Sequence, residues 1–186
     1  MASIINASTS SGIVQTADTS GILQLQSNGT TIATISSTGL QQNVGAPAFS
    51  AASNASQAIS QSTWTKITLQ DELFDTNNNF ASSRFTPTVA GYYQFNLSVN
   101  FGGNATALYG NVSLYKNGSL YKTMWNSTLG TLGSLNSVSG STLANANGTT
   151  DYFELYVYVA AQANISVYGD GSDAYTSFSG FLARSA

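Results

Sequence analysis

The chain contains neither cysteine nor histidine, and only 2 prolines in 186 residues. Lack of cysteine removes disulfides and thiolate chemistry and leaves the redox compartment open. Lack of histidine excludes imidazole triads, HExxH-type sites and His-bound zinc. An enzyme would have to work with eight carboxylates, and no catalysis and no cofactor are expected. Charge is scarce as well, at 7% of residues with a net charge of −3, against about a quarter in ordinary soluble domains. The five basic residues, Lys66, Arg84, Lys116, Lys122 and Arg184, are scattered. No stripe neutralises successive phosphates, so nucleic acid is not an expected partner. No window approaches the roughly 18 apolar residues of a membrane span. Met1 to Thr9 has neither a positive residue nor an apolar run of signal length. Neither membrane insertion nor secretion is expected.

In place of charge stand neutral hydroxyls and amides: Ser, Thr and Asn make up 66 of the 186 residues. The hydrophobic share is nonetheless 42%, with 10 Tyr, 9 Phe and 2 Trp. That content argues for a folded chain, and a chain of this length buries about two thirds of its unfolded surface.

Two textures divide the sequence at Asn43-Val44-Gly45-Ala46-Pro47. Residues 1–45 hold no aromatic residue and one charge, Asp18, whereas every Phe, Tyr and Trp lies from Phe49 onward. Two domains are therefore expected, 1–45 and 46–186. In the first, Ile22 to Gln26 and Thr31 to Ile35 flank Ser27-Asn28-Gly29-Thr30, and Asn-Gly between two β-rich runs predicts a hairpin. A two-residue loop sets Leu25 against Ile32 and Ile22 against Ile35, on opposite faces. A lone ribbon with apolar groups on both faces is unstable in water, so the ribbon is expected to be covered by identical copies of itself or by a larger assembly, with these four residues as the attachment.

From residue 46 the pattern has period two. In Tyr92 to Phe101, Tyr93, Phe95, Leu97, Val99 and Phe101 alternate with Tyr92, Gln94, Asn96, Ser98 and Asn100, the mark of a half-buried strand. Further strands are expected at Ala48–Ala51, Thr63–Leu69, Ser83–Thr86, Asn111–Lys116, Leu120–Trp125, part of Leu129–Leu143, Asp151–Ala160, Asn164–Tyr168 and Tyr175–Ala183. About ten short strands with Asn-Gly and Gly-Asp-Gly turns and no helical period predict an all-β antiparallel sandwich. Its core includes Tyr93, Phe95, Leu97, Val99, Phe153, Leu155, Val157 and Phe178. Along Asp151 to Val159 the other face carries Tyr152, Glu154, Tyr156 and Tyr158 rather than Ser and Thr. Three tyrosines in a row suit a subunit contact; the alternative is a cross-strand aromatic ladder exposed to water.

Ala48-Phe49-Ser50-Ala51, Trp64-Thr65-Lys66-Ile67, Phe74-Asp75-Thr76-Asn77, Arg84-Phe85-Thr86-Pro87, Gly91-Tyr92-Tyr93-Gln94-Phe95, Leu114-Tyr115-Lys116-Asn117-Gly118, Asp151 to Val157 and Thr176-Ser177-Phe178-Ser179-Gly180-Phe181-Leu182 together resemble the globular head of complement component one, subcomponent q, and the related tumour necrosis factor heads. The resemblance implies a ten-stranded jelly roll assembled as a homotrimer, with Asp151 to Val159 close to the threefold axis and Tyr152, Tyr156 and Tyr158 in the contact. The first 45 residues resemble instead the opening segments of bacteriophage fibre and virion proteins. There is no Gly-X-Y repeat.

Asp71, Glu72 and Asp75 are read as solvated loop residues rather than a glycosidase pair. Asp75-Thr76-Asn77-Asn78-Asn79 begins like a calcium loop, but Phe80 stands where the turn glycine is needed, so it is read as a turn. Asp170-Gly171-Ser172-Asp173 is read as an Asx turn, with calcium on Asp170 and Asp173 the less favoured reading. Ten Asn-x-Ser/Thr sequons reflect composition. The expectation is a non-enzymatic virion structural protein made in a host cytoplasm. It is a short trimeric tail fibre or spike that touches a host glycan or protein and docks through its N-terminal segment to other virion proteins. A capsid-surface head fibre or decoration protein, and a free complement-like lectin, are the alternatives. Apical loops near Gly102–Leu108 and Leu129–Gly140 are expected to make outside contacts.

Overall fold

The computed structural model describes residues 21–36, 39–41, 45–102, 106–128, 130–131, 136–161 and 165–186. The chain forms two compact units, Met1–Val44 and Gly45–Ala186, each of which stands as its own structure.

In the first unit β1 (Leu23–Ser27) and β2 (Thr30–Ser36) form the hairpin, and β3 (Gly39–Gln41) adds a third antiparallel strand to β2. Asn28 and Gly29 take φ of 50° and 76°, the left-handed pair that a two-residue turn needs and that Asn-Gly adopts at least cost. The register corrects the sequence expectation. Ser27 pairs with Thr30 and Gln26 with Thr31, but Leu25 then meets Ala33 and Leu23 meets Ile35. A bulge between Leu25 and Gln26 leaves Ile32 as the extra residue, while Ile22 precedes β1. Because side chains alternate along a strand, this slip places Leu23, Leu25, Ala33 and Ile35 on one face. Among the described side chains of β1 and β2, the apolar ones lie on one face rather than on both.

The second unit runs β4 (Ala48–Ala52), β5 (Ala55–Ile59), β6 (Thr65–Lys66), β7 (Asp71–Asp75), β8 (Phe80–Ala81), β9 (Arg84–Phe85), β10 (Gly91–Gly102), β11 (Thr106–Lys116), β12 (Ser119–Ser127), β13 (Gly130–Thr131), β14 (Asn136–Ala146), β15 (Phe153–Ala161), β16 (Ile165–Asp170) and β17 (Ser177–Ser185). In sheet I, β10 lies between β14 and β17, followed by β4 and β7, while β16 joins the end of β10 with β5 outside it. In sheet II the order is β12-β11-β15-β9-β8, with β13 on β11 and β6 on β15. All pairings are antiparallel, and the two sheets close on one core: an all-β, jelly-roll-like sandwich. Among the described residues it has fourteen strand segments rather than ten. The expected Thr63–Leu69 strand shrinks to β6, whereas β5, β7 and β8 were not expected. β7 also carries Asp71, Glu72 and Asp75, so these residues lie in a strand rather than a loop.

Every core residue named from the alternation is buried: Tyr93, Phe95, Val99, Phe153, Leu155, Val157 and Phe178 at 0–1% exposure and Leu97 at 5%. Phe95 packs within ring-pair distance of Phe49, Phe85, Tyr93, Phe153 and Phe178, at 4.6–6.5 Å between centroids. Each such side chain contributes about 1.5–3 kcal/mol by leaving water. Gly180 faces this cluster from β17. A Cβ there would stand 2.7 Å from the Phe95 ring and 2.9 Å from that of Phe49, so only glycine lets the two rings meet. The Tyr93 hydroxyl donates to the Val89 carbonyl at 2.7 Å, and burial pushes its pKa up to about 12.

Candidate interaction surfaces

The outward face of sheet II holds the tyrosines singled out from the sequence, and their neighbours come from distant parts of the chain. In the β11–β15 register Tyr115 sits opposite Glu154 and Ser113 opposite Tyr156, which puts Tyr115 and Tyr156 on a diagonal. Their rings stack at 4.0 Å and 24°. Trp64 lies 5.6 Å from Tyr115 and 5.5 Å from Tyr158, and Tyr109 meets Tyr158 edge-on at 6.3 Å. The Arg84 guanidinium lies 3.9 Å from the centre of the Tyr152 ring. The chain thus covers this face partly with its own rings, and Tyr152, Tyr156 and Tyr158 are half-buried.

Between the tyrosines Glu154 is buried, its side chain 3% exposed. Its Oε1 accepts from Lys66 Nζ at 2.7 Å and from Arg84 Nε at 2.9 Å, and Lys66 also donates to the Ser82 carbonyl at 2.9 Å. Burial pushes the Glu154 carboxyl up, but the hydrogen bonds and charges of Lys66 and Arg84 outweigh it and hold the group below the ordinary carboxylate range. Burial and the Glu154 charge push the Tyr156 phenol up. Asp151 has a similar role at the Asn117-Gly118 turn. It accepts from Asn117 Nδ2 at 2.8 Å, Asn147 N at 2.9 Å and Lys116 Nζ at 2.9 Å. Burial raises its pKa, and these partners together lower it. Neither the trio around Glu154 nor Trp64 was assigned from sequence, because each contact joins segments many residues apart.

The outward face of sheet I is arranged differently. One row across it reads Leu143, Gln94, Phe181, Ala48, and the next reads Ser141, Asn96, Ser179, Ser50, Phe74. Both rows are uncharged. Leu143 is 56% exposed, Phe74 52% and Phe181 48%, and Tyr92, beside Arg184 in the flanking row, is 51% exposed. The sequence held one signal of this: Tyr92 and Phe181 stand where the alternation elsewhere places Ser, Asn or Gln.

Asp170 accepts from Ser172 N at 2.9 Å and Ser172 Oγ at 2.7 Å, which closes an Asx turn. A hydrogen bond to Asp173 raises the Tyr175 phenol. Asp75 accepts from the backbone N–H groups of Asn77 and Phe80, so its stretch is a turn. Among the described residues no three or more acidic, His or Cys side chains cluster as a metal site. Of the N-terminal attachment residues, Ile22, Leu25 and Ile35 are exposed, and the side chain of Ile32 lies outside the described residues. The expected apical loops fall partly in β11, β13 and β14, and residues 103–105, 129 and 132–135 lie outside the described ones.

The two-sheet sandwich has known counterparts. The model of the C1q domain family matches residues 48–183, and the chain belongs to that family. Among solved structures it is similar to the globular domain of zebrafish complement 1qA protein, with 18% identity, a TM-score of 0.51, and coverage of 75% of this chain and 99% of that one. The Eiger TNF of S. frugiperda matches with 8% identity and a TM-score of 0.54, covering 76% and 94%. Murine APRIL at pH 8.5 matches with 14% identity and a TM-score of 0.50, covering 73% and 97%. At these identities the structural likeness shows the fold alone. Comparison with curated protein sequences gives no match.

Proposed function

We propose that the chain is a non-enzymatic virion structural protein of a bacteriophage, a short homotrimeric tail fibre or spike. Its head adheres to a host-surface glycan or protein, and its N-terminal unit docks to other virion proteins. The observation that carries the reading is the outward face of sheet I, with Leu143, Phe181, Phe74 and Tyr92 about half exposed around uncharged Ser, Asn and Gln. C1q and TNF homologues are homotrimers, and three copies about an axis give each copy a cover for that face. In the tyrosine row of sheet II, Tyr115 already stacks on Tyr156 and Trp64 already packs against Tyr158, and all three tyrosines of the row are half-buried. The virion half of the reading is supported by the phage-like text of the first 45 residues. The exposed Leu23, Leu25 and Ile35 of the N-terminal sheet give that segment an apolar side for docking.

Sedimentation of the full chain tests the assembly. The double variant Leu143→Ser/Phe181→Ser becomes monomeric while Tyr156→Ser/Tyr158→Ser stays trimeric; the reverse result moves the contact to the tyrosine row. A wild-type chain that is folded and monomeric at micromolar concentration ends the proposal. Electron micrographs of particles labelled with an antibody to residues 91–186 then show the site. Label on the tail supports the spike, label on the capsid replaces it with a head fibre or decoration protein, and a trimer found free of particles replaces it with a soluble lectin.

A further inference from the structure

Beside the Glu154 trio opens a cleft of about 570 Å3, lined by Lys66 and Arg84 together with Asn78, Ser82, Thr86 and Thr88 among its polar residues. Two of the chain's five basic residues meet here, on a protein whose net charge is negative. Arg84 directs Nε to Glu154 and lays its guanidinium against Tyr152. Its two terminal nitrogens have no protein acceptor among the described residues. Glu154 balances one of the two cations, so the cleft keeps an uncompensated positive charge. Among the described residues no acidic one lines the cleft, and Asp75, the last residue of β7, accepts from the Asn77 and Phe80 N–H groups.

The backbone around the cleft is strained as well. The β8–β9 hairpin turns through Ser82 and Ser83 at φ of 51° and 57°, and Asn78 sits at 53°. Two consecutive left-handed serines occupy a turn that Asn-Gly fills at lower cost. They are held there by the bond from Lys66 to the Ser82 carbonyl, by Leu69 N donating to Ser83 Oγ at 2.8 Å, and by Ser83 Oγ donating to the Leu69 carbonyl at 3.3 Å. Strain that persists because its surroundings over-determine it concentrates at binding sites.

We propose that this cleft binds an oxyanion carried on a sugar ring, the carboxylate or sulfate of an acidic saccharide. The planar fork of Arg84 matches an oxyanion with two parallel hydrogen bonds. Lys66 adds a point charge, while the amide of Asn78 and the hydroxyls of Ser82, Thr86 and Thr88 meet the ring hydroxyls. The cleft volume falls in the usual range for small-ligand sites, about 300–1,000 Å3. The site lies within one subunit, so it stands or falls apart from the trimer contact.

Isothermal titration of the full chain with three hexasaccharides decides it: a uronate-bearing hyaluronan fragment, a sulfated heparin fragment and a neutral chitin fragment. The acidic probes bind and the neutral one does not, with affinity falling as salt rises; the relative strength of the two acidic probes tells carboxylate from sulfate. Arg84→Lys keeps a cation for Glu154 but removes the fork, and binding drops at least about tenfold. Asn78→Gly suits the left-handed backbone, keeps the fold and weakens binding about threefold by removing one neutral hydrogen bond. Should Arg84→Lys fail to fold, amide shifts of the wild-type protein replace it, and they must move at Ser82, Arg84 and Thr86. No binding of either acidic probe, equal binding of the neutral one, or shifts elsewhere overturns the proposal.

Discussion

The two sheets of the head dress their outward sides in opposite ways. Along β15, sheet II covers its large side chains with one another: Tyr115 on Tyr156, Trp64 over both Tyr115 and Tyr158, Arg84 on Tyr152, and Glu154 between two cations, leaving Leu120 and Tyr121 of the edge strand β12 open. Sheet I leaves Leu143, Phe181, Phe74 and Tyr92 about half open between small polar neighbours. A tyrosine on a strand face therefore does not by itself signal a partner. What matters is whether a segment elsewhere in the chain has already reached it.

The contrast breaks most severely at what both sheets share. Phe95→Ala removes the ring that touches five others and costs about 3–5 kcal/mol. In denaturant, probes on either sheet then lose structure at one lowered midpoint, since they rest on one core; separate midpoints would show two independent layers. Next comes Glu154→Gln, which leaves Lys66 and Arg84 with a neutral acceptor. As both cations are partly in water, the loss is about 1–3 kcal/mol, read by the same unfolding curves. The pairing also sets a pH dependence. Partners depress the folded-state pKa values of Glu154 and Asp151, so their stabilisation is complete above the ordinary carboxylate range, about pH 4–4.5. It is lost as pH falls through the lower folded values. Glu154→Gln flattens that acid slope.

Trp64→Ala uncovers Tyr158 and Tyr115 and costs about 1–3 kcal/mol, from two ring pairs. Tyrosine nitration speeds up at these positions if the cover is as described. Phe181→Ser has the smallest effect on the subunit, within about 0.5 kcal/mol, measured at concentrations where copies are separate. A large loss there would mean that sheet I is also closed by its own chain.

The strands that could be read in advance were those whose alternation reports burial. β10 and β15 place every second residue in the core, so period two marks both the strand and its inner face. β5 and β7 escaped because they are edge strands: Ala55–Ile59 buries only Ile59, and Asp71–Asp75 carries three acids with Leu73 and Phe74 turned outward. The N-terminal hairpin was legible from Asn28-Gly29, but its register was not, since one bulged residue moves every apolar side chain beyond it. The surfaces were legible only in part. Tyr152, Tyr156 and Tyr158 announce themselves within nine residues of sequence, whereas the Trp64 that meets Tyr158 and the Lys66 and Arg84 that hold Glu154 come from some 70 to 94 positions earlier.

The cage around Glu154 and the surroundings of the phenols, burial for Tyr93, Tyr115 and Tyr156 and the Asp173 hydrogen bond for Tyr175, have a joint consequence for the environments this head tolerates. The paired acids hold their charge further into the acid range, while Tyr93, Tyr115, Tyr156 and Tyr175 keep their protons further into the alkaline one. No imidazole titrates between these limits. Across the neutral range none of these groups changes its charge, so the electrostatics of this surface answer to dissolved salt rather than to acidity.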